Sequence, residues 1–173
     1  MTTLALDLGQ KIGWIKGSAV GPLEHGTIDL VDSRDLGVWL IDAMTKLPPI
    51  IRGVRDIAVE QPFLGESYYP ARKLLGLLGA VYACANVQGI TSAYVHEYPV
   101  SSAKLALAGH GHAEKPLMIA AACDFWGFEE DEIDEHQADA SAILKIHLFG
   151  EAPKKSGKPR SSKGVSILRG PAR

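Results

Sequence analysis

At 173 residues, with 46% apolar and 22% charged side chains, the chain suits one globular domain with one good core. No apolar run approaches the ~20 residues a membrane helix needs, and the first residues do not read as a signal peptide. The formal charge of −2 is unevenly spread: residues 151–173 carry seven lysines and arginines against Glu151 alone, a net of +6, which leaves −8 on the first 150. An acidic body with a basic, Gly/Ser/Pro-rich tail suits a phosphate-backbone partner, and composition alone allows a merely solubilising tail equally well.

In chain order, "TLALDLG", "IGWIKG" and "EHGTIDLV" read as three short strands punctuated by Gly9, Gly17, Gly21 and Pro22. "DSRDLGVWLIDAMTKL" reads as a helix with Ser33 as its cap, with Leu36, Leu40, Met44 and Leu47 on one face, and with Pro48 and Pro49 as its stop. "DIAVEQP" is a fourth strand, apolar on both faces as a central strand would be. A long helix runs from near Pro70 to near Gly89, with Gly76, Gly79, Ala80 and Ala83 forming a small-residue surface suited to close packing. "TSAYVHEYP" is the fifth strand, followed by one loop-helix region, an acidic loop and a last helix, "HQADASAILKIHLF". The predicted order is β-β-β-α-β-α-β-α-α, an α/β fold with a mixed five-stranded sheet flanked by helices. The domain is expected over 1–150, and 151–173 as a flexible basic tail. Cys84 and Cys123 lie in apolar helical patterns without ligand spacing, which points to reduced core thiols in the cytoplasm.

Two carboxylates stand at the ends of apolar strands: Asp7 in "LALD" and Glu60 in "IAVE". The first and fourth strands are expected to be neighbours, which brings both carboxylates to one sheet rim. In the last helix His136 and Asp139 are three apart and share a face. Taken singly each residue has an ordinary reading, as a turn opener, a solvated strand end, a helix cap or a wet helix position. Three carboxylates at the ends of converging elements point instead to a site for Mg²⁺, with Mn²⁺ as a substitute, and hence to phosphodiester hydrolysis. His110 and His112 could join His136 on zinc, a weaker reading because no cysteine is placed to help. The run "FEEDEIDEH" reads as solvated charge at a helix start, with Asp134 or Glu135 as a possible auxiliary ligand.

"LALDLGQKIGW", "AVEQPF", "AGHGHAEK" and "HQADASAIL", in this order and spacing, resemble the RuvC Holliday-junction resolvases of the ribonuclease H-like superfamily over roughly residues 3–148. The resemblance implies a ribonuclease H-like fold with metal ligands at Asp7, Glu60, His136 and Asp139. Many members carry Asp where His136 stands, which leaves open whether this imidazole binds metal or handles a proton. It also implies Lys104 and Lys115 near the scissile phosphate, and Phe63 as a DNA-stacking aromatic, with a buried Phe filling the sheet rim an equal alternative for the last.

The implied activity is that of a crossover junction endodeoxyribonuclease. It would cut four-way branched DNA by paired symmetric nicks, leaving 5′-phosphate and 3′-hydroxyl, in a bacterium or a phage-infected host. Paired nicks call for a homodimer, and "LLGLLGAVYACA" matches the family's interface segment. Lys154, Lys155, Lys158 and Arg160 of the tail would add salt-dependent DNA affinity. Two rivals keep the fold: a non-catalytic junction binder, and a nuclease for flaps or other branched DNA.

Overall fold

The computed structural model describes residues 1–62 and 68–150. Five strands, β1 (Thr3–Asp7), β2 (Lys11–Ser18), β3 (Gly21–Asp29), β4 (Asp56–Glu60) and β5 (Val95–Tyr98), form one sheet in the order β3-β2-β1-β4-β5. The first three form an antiparallel meander, while β4 lies parallel to β1 and β5 parallel to β4. This is the mixed five-stranded sheet expected.

Five helices cover it: α1 (Leu36–Ile51), α2 (Tyr68–Val87), α3 (Val100–Ala108), α4 (Lys115–Trp126) and α5 (Glu135–Phe149). The two-residue period of the strands sorts the layers. Leu4, Leu6, Ile57 and Val59 point to one face and pack with Trp39, Ala43 and Leu47 of α1 and Leu77, Val81 and Cys84 of α2. Ala5, Ile15 and Ala58 point to the other, against α3, α4 and the Ala138, Ile143 and Leu144 face of α5. Small residues at positions 5 and 58 let α5 lie close to the central strands.

Three local expectations are corrected. The N-cap of α1 is Asp35, not Ser33: its Oδ1 accepts from the Gly37 N–H at 2.7 Å and the Val38 N–H at 3.2 Å. Pro48 and Pro49 do not stop α1 but lie in its last turn. The Pro48 carbonyl still accepts from the Arg52 N–H, and the buried face Trp39, Ala43, Leu47, Ile51 holds that turn on the sheet, while Met44 is largely exposed. After β5 there are three helices where two were expected. Gly109, at φ 71°, ends α3, and Pro116 starts α4. No helix among the described residues is long and apolar enough to cross a membrane.

Candidate metal centre

Asp7 and Glu60 end β1 and β4, and the alternation that sends Leu6 and Val59 to the α1 side sends both carboxylates to the α5 side. There they meet His136 and Asp139 from the first turns of α5. His136 Nδ1 lies 3.5 Å from Asp7 Oδ2, and Lys104 Nζ of α3 lies 3.7 Å from Asp139 Oδ1. The four predicted ligand positions therefore converge on one rim, with Lys104 beside them. Among the described residues no three carboxylate, imidazole or thiol groups already surround one point as ligands do. They are turned onto one another instead, His136 on Asp7, Glu60 on Asp7 and Lys104 toward Asp139.

That arrangement has an electrostatic cost. Burial, then a hydrogen bond shared with Asp7 and the charges of Asp7 and Asp139, push the Glu60 carboxyl up to about 9. Burial and the Asp7 charge raise Asp139 as well, against the opposing pull of Lys104. The bond to Asp7 raises His136 above the ordinary imidazole value, against its partial burial. Asp139 Oδ1 is sealed from solvent with no hydrogen-bond partner, since 3.7 Å to Lys104 is too long for one. Hard oxygen donors crowded together, one of them unpartnered, are what a divalent magnesium-type cation relieves. The residues fit such an ion.

The start of α5 is held by a network that the sequence did not reveal. Asp134 caps the helix through the Gln137 N–H at 2.8 Å and accepts from the Thr27 hydroxyl of β3 at 2.6 Å. Gln137 Nε2 donates to Thr27 Oγ1 at 3.1 Å, and Gln137 Oε1 lies 2.9 Å from His25 Nδ1. Asp134, considered above as an auxiliary ligand, is thus a helix anchor. Glu135 forms an ion pair with Lys115 at 2.6 Å and lies 3.5 Å from His136 Nε2. Gly13 of β2 passes directly under this turn: a Cβ there would overlap the His136 carbonyl. Its only trace in the sequence was a glycine inside a strand pattern.

Lys104 also donates to the Ala113 carbonyl at 3.3 Å, and Lys115 opens α4, exposed. His110 and His112 meet edge to face with ring centroids 6.2 Å apart, while His136 faces Asp7 and Glu135. Phe63 and the tail residues Lys154, Lys155, Lys158 and Arg160 lie outside the described residues.

No family model matches the chain. Crossover junction endodeoxyribonuclease RuvC of Thermus thermophilus is 37% identical over 93 residues, 54% of this chain and 54% of that protein, so the match spans about half the length of either. RuvC of Citrifermentans bemidjiense is 31% identical over 160 residues, 87% of this chain and 94% of that protein. Among solved structures, Thermus thermophilus RuvC superimposes with a TM-score of 0.70 at 25% identity, covering 86% of this chain and 94% of that one. The same protein in complex with Holliday junction substrate gives 0.71 at 24% identity. With this sheet order, this convergence of carboxylates and these relatives, the chain belongs to the RuvC family of crossover junction endodeoxyribonucleases.

Proposed function

We propose that the protein is a divalent-metal-dependent endonuclease that resolves four-way DNA junctions by paired symmetric nicks, each leaving a 5′-phosphate and a 3′-hydroxyl. The observation that carries this reading is the meeting of Asp7, Glu60, His136 and Asp139 at one rim with an unpartnered carboxylate oxygen among them. These four would hold Mg²⁺, or Mn²⁺ in its place, which when bound polarises the phosphodiester and provides a nucleophile at neutral pH. The rest of the chemistry belongs to the chain. Glu60 holds a proton that must leave before its oxygens can act as ligands, and the contact with Asp7 favours the protonated form of His136. Lys104, within the site, balances the charge of Asp139 and is placed to offset charge on the phosphate as it is attacked. Lys115 stands further out, tied to Glu135, and serves the incoming backbone.

Two nicks require two sites, and the α1/α2 layer offers the surface for a second copy. An apolar depression of about 180 Å³ is lined by Met44, Pro48, Ala83, Cys84 and Val87, the last 85% exposed, and Ile41, one turn before Met44 on α1, is 67% exposed. A homodimer through this layer supports the symmetric pair of cuts. The basic residues of 151–173 would add sequence-independent affinity for a DNA arm. The test is incubation with a synthetic mobile four-way junction and a matched linear duplex, in Mg²⁺, Mn²⁺ or EDTA. Paired nicks in the junction alone, absent in EDTA, are expected. Equal cutting of linear DNA would discard the junction as the substrate, and tight binding without cutting would leave a non-catalytic binder.

A further inference from the structure

Because β3 and β4 run parallel to β1, the chain leaves both at the carboxylate rim, and α1 and α2 begin there on the opposite face of the sheet. Their first turns frame a groove of about 440 Å³ whose walls include Arg34, Leu40, Tyr69, Arg72 and Lys73. It is a built feature. The Tyr69 hydroxyl donates to the Arg34 carbonyl at 2.8 Å, tying α2 to the segment that leads into α1. The Lys73 ammonium lies 5.0 Å over the Trp39 ring and 5.8 Å over that of Tyr69. The Trp39 indole N–H donates to Gln10 Oε1 at 3.2 Å, and Gln10 Nε2 donates to the Leu30 carbonyl at 2.7 Å. The groove is therefore fastened to the turn three residues beyond Asp7.

Arg34 and Arg72 are exposed, and among the described residues no carboxylate pairs with either or with Lys73. The one acidic lining residue, Asp35, turns Oδ1 to its own helix as the N-cap. Two guanidinium forks and an ammonium around one cleft are the chemistry of phosphate recognition.

We propose that this groove binds the sugar-phosphate backbone of the DNA strand that is not being cut, and does so without metal. The proposal rests on the nuclease reading and deepens it. A rim of carboxylates repels phosphate until a cation is present, so initial capture of DNA needs cations elsewhere. This groove supplies three at the same rim. Because the groove and the carboxylate cluster share one rim on opposite faces of the sheet, one molecule can hold the scissile strand on the α5 side and a neighbouring strand on the α1/α2 side.

The test measures binding of the full-length protein to a synthetic four-way junction in EDTA across 50–200 mM salt. The Arg34→Ala/Arg72→Ala double variant should show a log–log salt slope shallower by about 1.8, at 0.9 per lost phosphate contact, with binding weakened at least about tenfold at low salt. Arg34→Lys/Arg72→Lys should recover most of the slope, which a folding defect would not allow. Arg52→Ala, removing an exposed cation at the far end of α1, should keep the wild-type slope. An unchanged slope in the double alanine variant, or equal flattening by Arg52→Ala, would overturn the proposal. Wild-type protein that binds in EDTA with the expected slope but does not cut the junction when Mg²⁺ or Mn²⁺ is then supplied would fell the nuclease reading and leave the groove standing.

Discussion

The two faces of the sheet meet DNA's charge in opposite ways. On the α5 side Asp7, Glu60 and Asp139 are gathered with one ammonium nearby, and the site is strained by like charge until a cation enters. On the α1/α2 side Arg34 and Arg72 are exposed and Lys73 is half-buried around a groove, with no opposing ion pair among the described residues. The acidic side can therefore do chemistry but attracts DNA weakly until a cation enters, whereas the basic side can attract DNA and shows no group to hydrolyse it among the described residues. The difference separates binding from catalysis on a single scaffold, and variants should separate them too.

The largest effect is expected from removing one acidic ligand. Asp7→Asn should lower junction cleavage by roughly 10³-fold, equivalent to about 4 kcal/mol of barrier, while binding stays equal or tightens because a repelling charge is lost. Gel-based cleavage and binding assays on the same preparation check it, and parallel losses in both would erase the separation. Gly13→Ala comes next. The added methyl meets the His136 carbonyl, so the first turn of α5 must shift, and a displacement near 1 Å costs about 10²-fold in cleavage. Wild-type turnover in this variant would show that α5 is not positioned by its approach to β2.

A smaller effect concerns pH. The folded protein favours protonated Glu60 far above the ordinary carboxylate range, so the native state binds a proton that the unfolded chain releases above about pH 4.5. The cation-free protein should therefore lose stability as pH rises from about 4.5 toward 9, by about 5 °C or more in Tm. Glu60→Gln should flatten that dependence, and Mg²⁺ should raise Tm more at pH 8 than at pH 5.5. A cation-free Tm indifferent to pH would remove the buried like-charge cluster. The smallest change is expected from deleting 151–173, which should weaken binding and flatten its salt dependence while leaving the cleavage pattern intact.

Much of this was legible in the sequence because it follows the two-residue strand period. "LALD" and "IAVE" end in phase, so adjacent parallel strands had to send Asp7 and Glu60 to one face. His136 and Asp139, one helical turn apart, followed from the same kind of argument. What was not legible depends on tertiary packing. Pro48 and Pro49 inside α1 are tolerated because Leu47 and Ile51 are buried on either side of them. The role of Gly13 exists only because α5 crosses β2 at that point, and the groove joins Arg34 to Tyr69, 35 residues apart, through a helix pair whose approach no local pattern encodes.

The most direct test of the central claim, that these carboxylates form a cation site, is calorimetric titration of the DNA-free protein with Mn²⁺ in two buffers of different ionisation enthalpy. The account predicts saturable binding near neutral pH with net proton release, because Glu60 gives up its proton as the ion enters, and loss of that binding in Asp7→Asn. Binding that persists unchanged in Asp7→Asn, or no binding in the wild type, would contradict it.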